Sequence, residues 1–227
     1  MGILEVFYAP GRLFSSLENR RAAWILPTVL GALLILVTTA VAIKMIGMEA
    51  IVRQQLQNTR LSQEQMQVAL DRATSPTQFY ITCGAALIGA VAAQALIAGL
   101  LLMFAMLGSK QPRFGPNFSM VAFAQFPYRL VVCAMTLLVL FAAPDRSTLD
   151  VSNLLATNIG AFMDKDNMSK GLYALLSQFD LLTFAEIGLM GYGFSKVNRT
   201  SVSFGVFSVL CLWSVYVLIR VALSAIF

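Results

Sequence analysis

The chain has 227 residues, 58% of them hydrophobic and only 12% charged, with a net charge of +5. Soluble domains are roughly 45 to 50% apolar and about 25% charged, so this composition excludes an ordinary water-soluble domain and points to the lipid bilayer as solvent. There is no histidine, which removes the imidazole general base and the commonest metal ligand. Cys83, Cys133 and Cys211 lie singly in separate apolar runs, without the CxxC spacing of metal or redox sites, and read as packing residues.

The first element is a short segment, residues 1–21. Ile3, Leu4, Phe7 and Tyr8, then Leu13, Phe14 and Leu17 around Pro10, form two apolar stripes at helical spacing. With Arg12, Arg20 and Arg21 alongside, they predict an interfacial amphipathic helix that anchors the chain through Phe7, Phe14, Leu17 and Trp24. Packing of the same stripes against the protein's own bundle is the alternative.

A bilayer core roughly 30 Å thick needs about 20 apolar residues for a helical crossing. Five runs qualify, at residues 22–43, 79–107, 119–143, 171–194 and 201–227, and backbone pairing in lipid requires that they be helices. The expected fold is therefore an all-α membrane bundle of five transmembrane helices over residues 22–227. Ala40, Val41 and Ala42 make a small-x-small site, but the run before them exceeds the 7 to 15 residues of a signal core, so a retained span is expected.

With the N-terminus inside, the inner segments hold Arg12, Arg20, Arg21, Lys110, Arg113, Lys196 and Arg199 against Glu5 and Glu18, whereas the outer loops, 44–78 and 144–170, balance to zero. The positive-inside rule then favours a cytoplasmic N-terminus and an external C-terminus. In the first outer loop, Ser62 and Gln65 have capping-box spacing ahead of the helical face Met66, Ala69, Leu70 and Ala73, which predicts a helical hairpin. In the second, Val151, Leu154, Leu155, Ile159 and Phe162 predict an amphipathic helix. Asp164, Asp166 and Asn167 lack the glycine and distal glutamate of a calcium loop and read as capping groups before span four.

Ionisable groups at bilayer depth are costly and each is a functional hypothesis. Arg129 and Asp180 both fall roughly 14 to 16 Å deep by residue count and are expected to pair. Gln94, Gln125 and Glu186 fall about 8 to 11 Å from the inner boundary and predict a second polar layer. Pro127 between the layers frees the Phe123 carbonyl. These groups either fix helix packing or line a proton or solute path; the unlike spans lack the internal repeat usual in secondary transporters. Arg220, near the end of span five, is expected to snorkel. Small residues, namely Gly84, Gly89, Ala93 and Gly99 in span two and Gly188 and Gly191 in span four, predict close helix packing within the chain or between copies.

The opening FYAPGRLFSSL with Trp24 and Pro27, the stretch NLLATNIGAFMDKDN leading into LLSQFDLLTF, and LWSVYVLIR in span five resemble bacterial members of the YIP (Ypt/Rab-interacting protein) domain family. The resemblance covers most of the chain and implies a five-helix integral membrane protein. Relatives tend to carry Trp and another large residue after the Asp180 motif; this chain has Ala185 and Glu186, so the family does not account for Glu186. Eukaryotic members bind Rab GTPases through a long N-terminal tail, which is about twenty residues here, and that role is not carried over.

The expected function is that of a non-enzymatic scaffold or accessory subunit of a larger complex in a bacterial inner membrane, such as a transport or trafficking-like assembly. It would touch lipid and a membrane protein partner or a second copy, without nucleic acid, metal or cofactor. A small transporter or channel using the polar layer is the alternative. No GxSxG, HExxH or histidine-bearing catalytic set is present.

Overall fold

The computed structural model describes residues 2–20, 22–56, 62–108, 112–146, 149–164 and 167–226. Among the described residues the structure is helical throughout, with 82% in helices and no strand. Its helices are α1 (Glu5–Tyr8), α2 (Pro10–Ser16), α3 (Ile25–Ile46), α4 (Met48–Leu56), α5 (Gln63–Ala73), α6 (Pro76–Gly108), α7 (Phe114–Ala142), α8 (Lys170–Leu176), α9 (Leu181–Asn198) and α10 (Val202–Ile226). Four of them, α3, α6, α7 and α10, are long and apolar enough to cross a bilayer, and this is a membrane-embedded helical protein. They run up and down, so that the N-terminal segment, the α6–α7 connection and the α9–α10 turn share one end of the bundle. That end is termed proximal below; α4, α5 and residues 144–146, 149–164 and 167–170 lie at the other, distal end.

The stretch expected to form span four is not one helix. It breaks at Ser177–Asp180, and only α9 continues into the bundle between α7 and α10. The break is built by local hydrogen bonding that competes with helix continuation. The Leu181 N–H donates to the Thr157 carbonyl at 3.2 Å and the Ile159 N–H to the Phe179 carbonyl at 3.2 Å, so the distal loop forms a bridge-like pairing across the gap. Asp180 caps the new helix: its carboxylate accepts from the Leu182 N–H at 3.0 Å and from the Thr183 hydroxyl at 3.3 Å. Four backbone donors are orphaned at any helix start, and loop and cap between them satisfy two of these.

The amphipathic helix expected over Val151 to Phe162 is absent; the segment forms two 3-10 turns, Val151–Asn153 and Ile159–Phe162, with a bend and a turn between them. Asn158 is the reason. Its side chain accepts from the Ala161 N–H at 3.0 Å and donates to Asn153 at 2.7 Å, holding an Asx-type turn. Asn153 in turn donates to the Tyr173 hydroxyl at 3.2 Å. Gly160 lies directly against the Ser177 hydroxyl, where a Cβ would collide. Asn167 donates to Asp164 at 2.6 Å, while the cap of α8 is Ser169; Asp166 lies outside the described residues. In the other distal segment the helical hairpin forms as α4 and α5, with both reciprocal capping-box bonds between Ser62 and Gln65.

The N-terminal segment is also corrected. It folds as α1, α2 and a 3-10 turn, and it enters the bundle instead of lying along lipid. Leu13, Phe14 and Leu17 are 1%, 0% and 0% exposed, in one core cluster with Met120, Phe194 and Val197. Phe14 therefore cannot act as an interfacial anchor, nor can Leu17. Phe7 is half exposed and meets Phe126 edge-on at 6.4 Å; Trp24 meets Phe118 edge-on at 5.4 Å. Gly193 admits Phe14 and Met120, whose atoms lie about 3 Å from where its Cβ would be. At the rim, Glu18 accepts from Arg113 at 3.0 Å and from Arg199 at 2.7 Å, tying the segment to the starts and ends of α7 and α9.

Lipid tails are as apolar as leucine, so helices in a bilayer associate through close van der Waals packing and internal hydrogen bonds. Gly191 serves the expected packing role: α9 and α10 cross with its carbonyl oxygen against Gly205 and its Cα side against Val206. Gly84, Gly89, Gly99 and Gly188 have nothing within 4 Å of a notional Cβ among the described residues, so none of them marks a close helix crossing there. Gly205→Ala is therefore expected to push α9 from α10 and cost about 1–3 kcal/mol, lowering the melting temperature in detergent. Gly89→Ala is expected to leave it unchanged.

Candidate functional site: a polar lock between three helices

The polar residues of α7 and α9 fall into register from one fixed level. Asn117 and Asn198, both almost fully buried, exchange side-chain hydrogen bonds at 3.1 and 2.9 Å near the proximal end. Arg129 and Glu186 each lie twelve residues from that pair along their helices, about 18 Å at 1.5 Å per residue. They are thus level, and their charges interact across the α7–α9 contact. Asp180 lies eighteen residues from Asn198, about 27 Å away, at the distal edge.

The expected pairing of Arg129 with Asp180 is not formed; the carboxylate level with Arg129 is Glu186, whose charge it feels across the α7–α9 contact without a direct ion pair. Counting residues into a presumed unbroken span had placed Asp180 near the bilayer centre; the helix break moves it outward and turns it into a cap. Glu186 takes the interior role.

Gln125 joins the two charges. The guanidinium of Arg129 donates to its amide oxygen at 2.6 Å, and its amide group lies within electrostatic reach of the Glu186 carboxylate. Gln125 is 8% exposed, so this amide bridge is shielded and electrostatically stronger than it would be in water. The side chain of Arg129 extends over Gly31 of α3, where a Cβ would stand 2.8 Å from a guanidinium nitrogen. Sequence inspection missed Gly31; a glycine within an apolar run facing a midspan arginine is the signal that could have found it. One lock thereby spans α3, α7 and α9. Pro127 sits inside α7 between Gln125 and Arg129.

Gln94 belongs to a neighbouring contact. It is 0% exposed and donates to the Thr28 hydroxyl at 2.8 Å, linking α6 to α3 one turn from Gly31. Its own oxygen has no hydrogen-bond partner among the described residues. The expected layer of Gln94, Gln125 and Glu186 is therefore divided into two contacts that share α3. On the distal side, Tyr128 lies within electrostatic reach of Thr183, Glu186, Asp180 and Tyr216. Tyr128, Thr183 and Tyr216 were not anticipated, because hydroxyls in apolar runs carry no periodic signal.

Among the described residues no group of three or more potential metal ligands comes together. Compared with known proteins, the chain matches no family model, no curated protein and no solved structure.

A charge stripped of its partner in a low-dielectric site costs more than the pair itself contributes. Arg129→Leu or Glu186→Leu alone is expected to destabilise the protein by about 3–5 kcal/mol, and the double replacement by much less than the sum. Unfolding in mixed micelles for all four combinations gives the cycle; strict additivity would show that the two residues are not coupled.

Proposed function

We propose that this chain is a non-enzymatic multi-pass protein of a bacterial inner membrane, of the YIP-like type its motifs resemble, acting as a scaffold or accessory subunit beside a larger membrane protein. The N-terminus would be cytoplasmic and the C-terminus external. The observation that carries this reading is the exposed face of α6. Ala85, Gly89 and Ala93, spaced four apart, are all exposed, and Gly89 has open space around it. Small-xxx-small spacing lets a second helix approach closely in lipid, where close approach is the main source of association. The polar lock supports the same reading, since Arg129, Gln125 and Glu186 are engaged in holding α3, α7 and α9 together.

A second reading, a small transporter, draws on the helix break beside the polar lock, since discontinuous helices often mark transport sites. It predicts that Glu186→Gln abolishes flux in proteoliposomes while leaving folded protein intact.

Gentle-detergent purification is expected to recover a larger partner together with this chain, and a photo-crosslinker at Gly89 to join the same partner. The crosslinker at Leu138, a lipid-exposed position on α7, serves as the control. Recovery of this chain alone, as a homo-oligomer crosslinked to itself through Gly89, would overturn the accessory reading.

A further inference from the structure

Docking of the N-terminal segment uses one of its faces and leaves the other bare. Leu13, Phe14 and Leu17 are buried in the core, whereas Leu4, Tyr8 and Arg12 are exposed and Phe7 is half exposed beside them. The segment runs inward from the rim, where Glu18 holds Arg113 and Arg199. Gly11 lies against the Tyr192 hydroxyl, six residues along α9 from Asn198, and Phe7 meets Phe126, nine residues along α7 from Asn117. At 1.5 Å per residue these levels are about 9 and 13 Å inward of the asparagine pair. The bare face therefore passes from apolar side chains at hydrocarbon depth to a guanidinium-bearing residue nearer the rim.

A second cation joins it there. The Lys196 ammonium stands over the Tyr192 ring, 5.2 Å from its centre, and the hydroxyl of the same ring reaches Gly11, so a single tyrosine links the two cation-bearing positions. Among the described residues neither Arg12 nor Lys196 forms an ion pair. The acids of the segment do not serve them, since Glu5 is buried and Glu18 is taken by two other arginines. A cation at the edge of the hydrocarbon needs a counter-charge, and here the protein supplies none. We infer that this face binds an anionic phospholipid, with its headgroup phosphate on Arg12 and Lys196 and its acyl chains along Leu4, Phe7 and Tyr8. A guanidinium fork matches two phosphate oxygens, while the tyrosine face holds the ammonium beside it. The order of the residues, apolar inside and cationic toward the rim, is that of a lipid lying along the segment. A zwitterionic headgroup would bring its own cation against Arg12 and Lys196, so the site prefers a net negative lipid. The lipid site stands whether or not α6 carries a partner.

The test uses the full chain in neutral detergent micelles, titrated with dioleoyl phosphatidylglycerol or with dioleoyl phosphatidylcholine, and native mass spectrometry counts the lipid retained. The expected result is preferential retention of the anionic lipid. Each cation near a membrane surface contributes roughly a fivefold preference for anionic lipid, so Arg12→Gln or Lys196→Gln alone is expected to lower the preference about fivefold and the double variant roughly twenty-five-fold. Both side chains are exposed, and all three variants are expected to melt close to the parent without added lipid. Arg72→Gln, which removes the same charge from an exposed position on α5, is expected to change nothing. Glycerol phosphate, a headgroup without chains, is expected not to displace the lipid. Equal retention of both lipids, an undiminished preference in the double variant, an equal loss in Arg72→Gln, or displacement by glycerol phosphate would each overturn the lipid site.

Discussion

The structure depends on one constraint: a charge placed in hydrocarbon must find its partner within the protein. Arg129 meets it with the Gln125 oxygen and the nearby Glu186 carboxylate, and its length requires a notch, which Gly31 supplies. The consequences reach both ends of the bundle. Arg129 and Glu186 can be level only if the start of α7 and the end of α9 lie at the same height, and the Asn117–Asn198 exchange sets that height. The N-terminal segment then has a fixed cleft to enter, with Gly193 leaving room for Phe14.

The two ends of the protein are stabilised by different chemistry. The proximal end is dry and close-packed, with the Glu18 clamp at its rim contributing little in solvent. The distal end is a network of backbone and amide bonds. There the Gln54 side chain donates to the Leu149 carbonyl and accepts from the Val151 N–H, both at 2.9 Å, which ties α4 to the segment that pairs with the helix break. A hydrogen-bonded cap can rearrange without opening a cavity, whereas a filled core cannot.

Much of the fold was legible in the chain. The four long apolar runs appear as helices within a few residues of expectation, because length and hydrophobicity suffice to specify a membrane helix. The capping box of α5 formed as its spacing required. The N-terminal stripes were recognised as helical, but not their destination: an apolar face serves lipid and a protein core equally well, and only the shape of the cleft beside Gly193 separates them. The small-residue faces were equally ambiguous. Gly191 meets α10, whereas Gly84, Gly89, Gly99 and Gly188 mark no close crossing among the described residues.

What the sequence determined by itself was the solvent, the helical class, the approximate spans and the list of polar residues that needed an explanation. What only the tertiary structure decided was their pairing. Residue counting along an assumed unbroken helix matched Arg129 with Asp180, but pairing depends on where each helix begins in space. The bonds of Thr157 and Ile159 to Leu181 and Phe179 start α9 at Asp180. Asp180 is a favourable local N-cap, but the choice of this cap over an unbroken helix is set by a loop some twenty residues earlier in the chain.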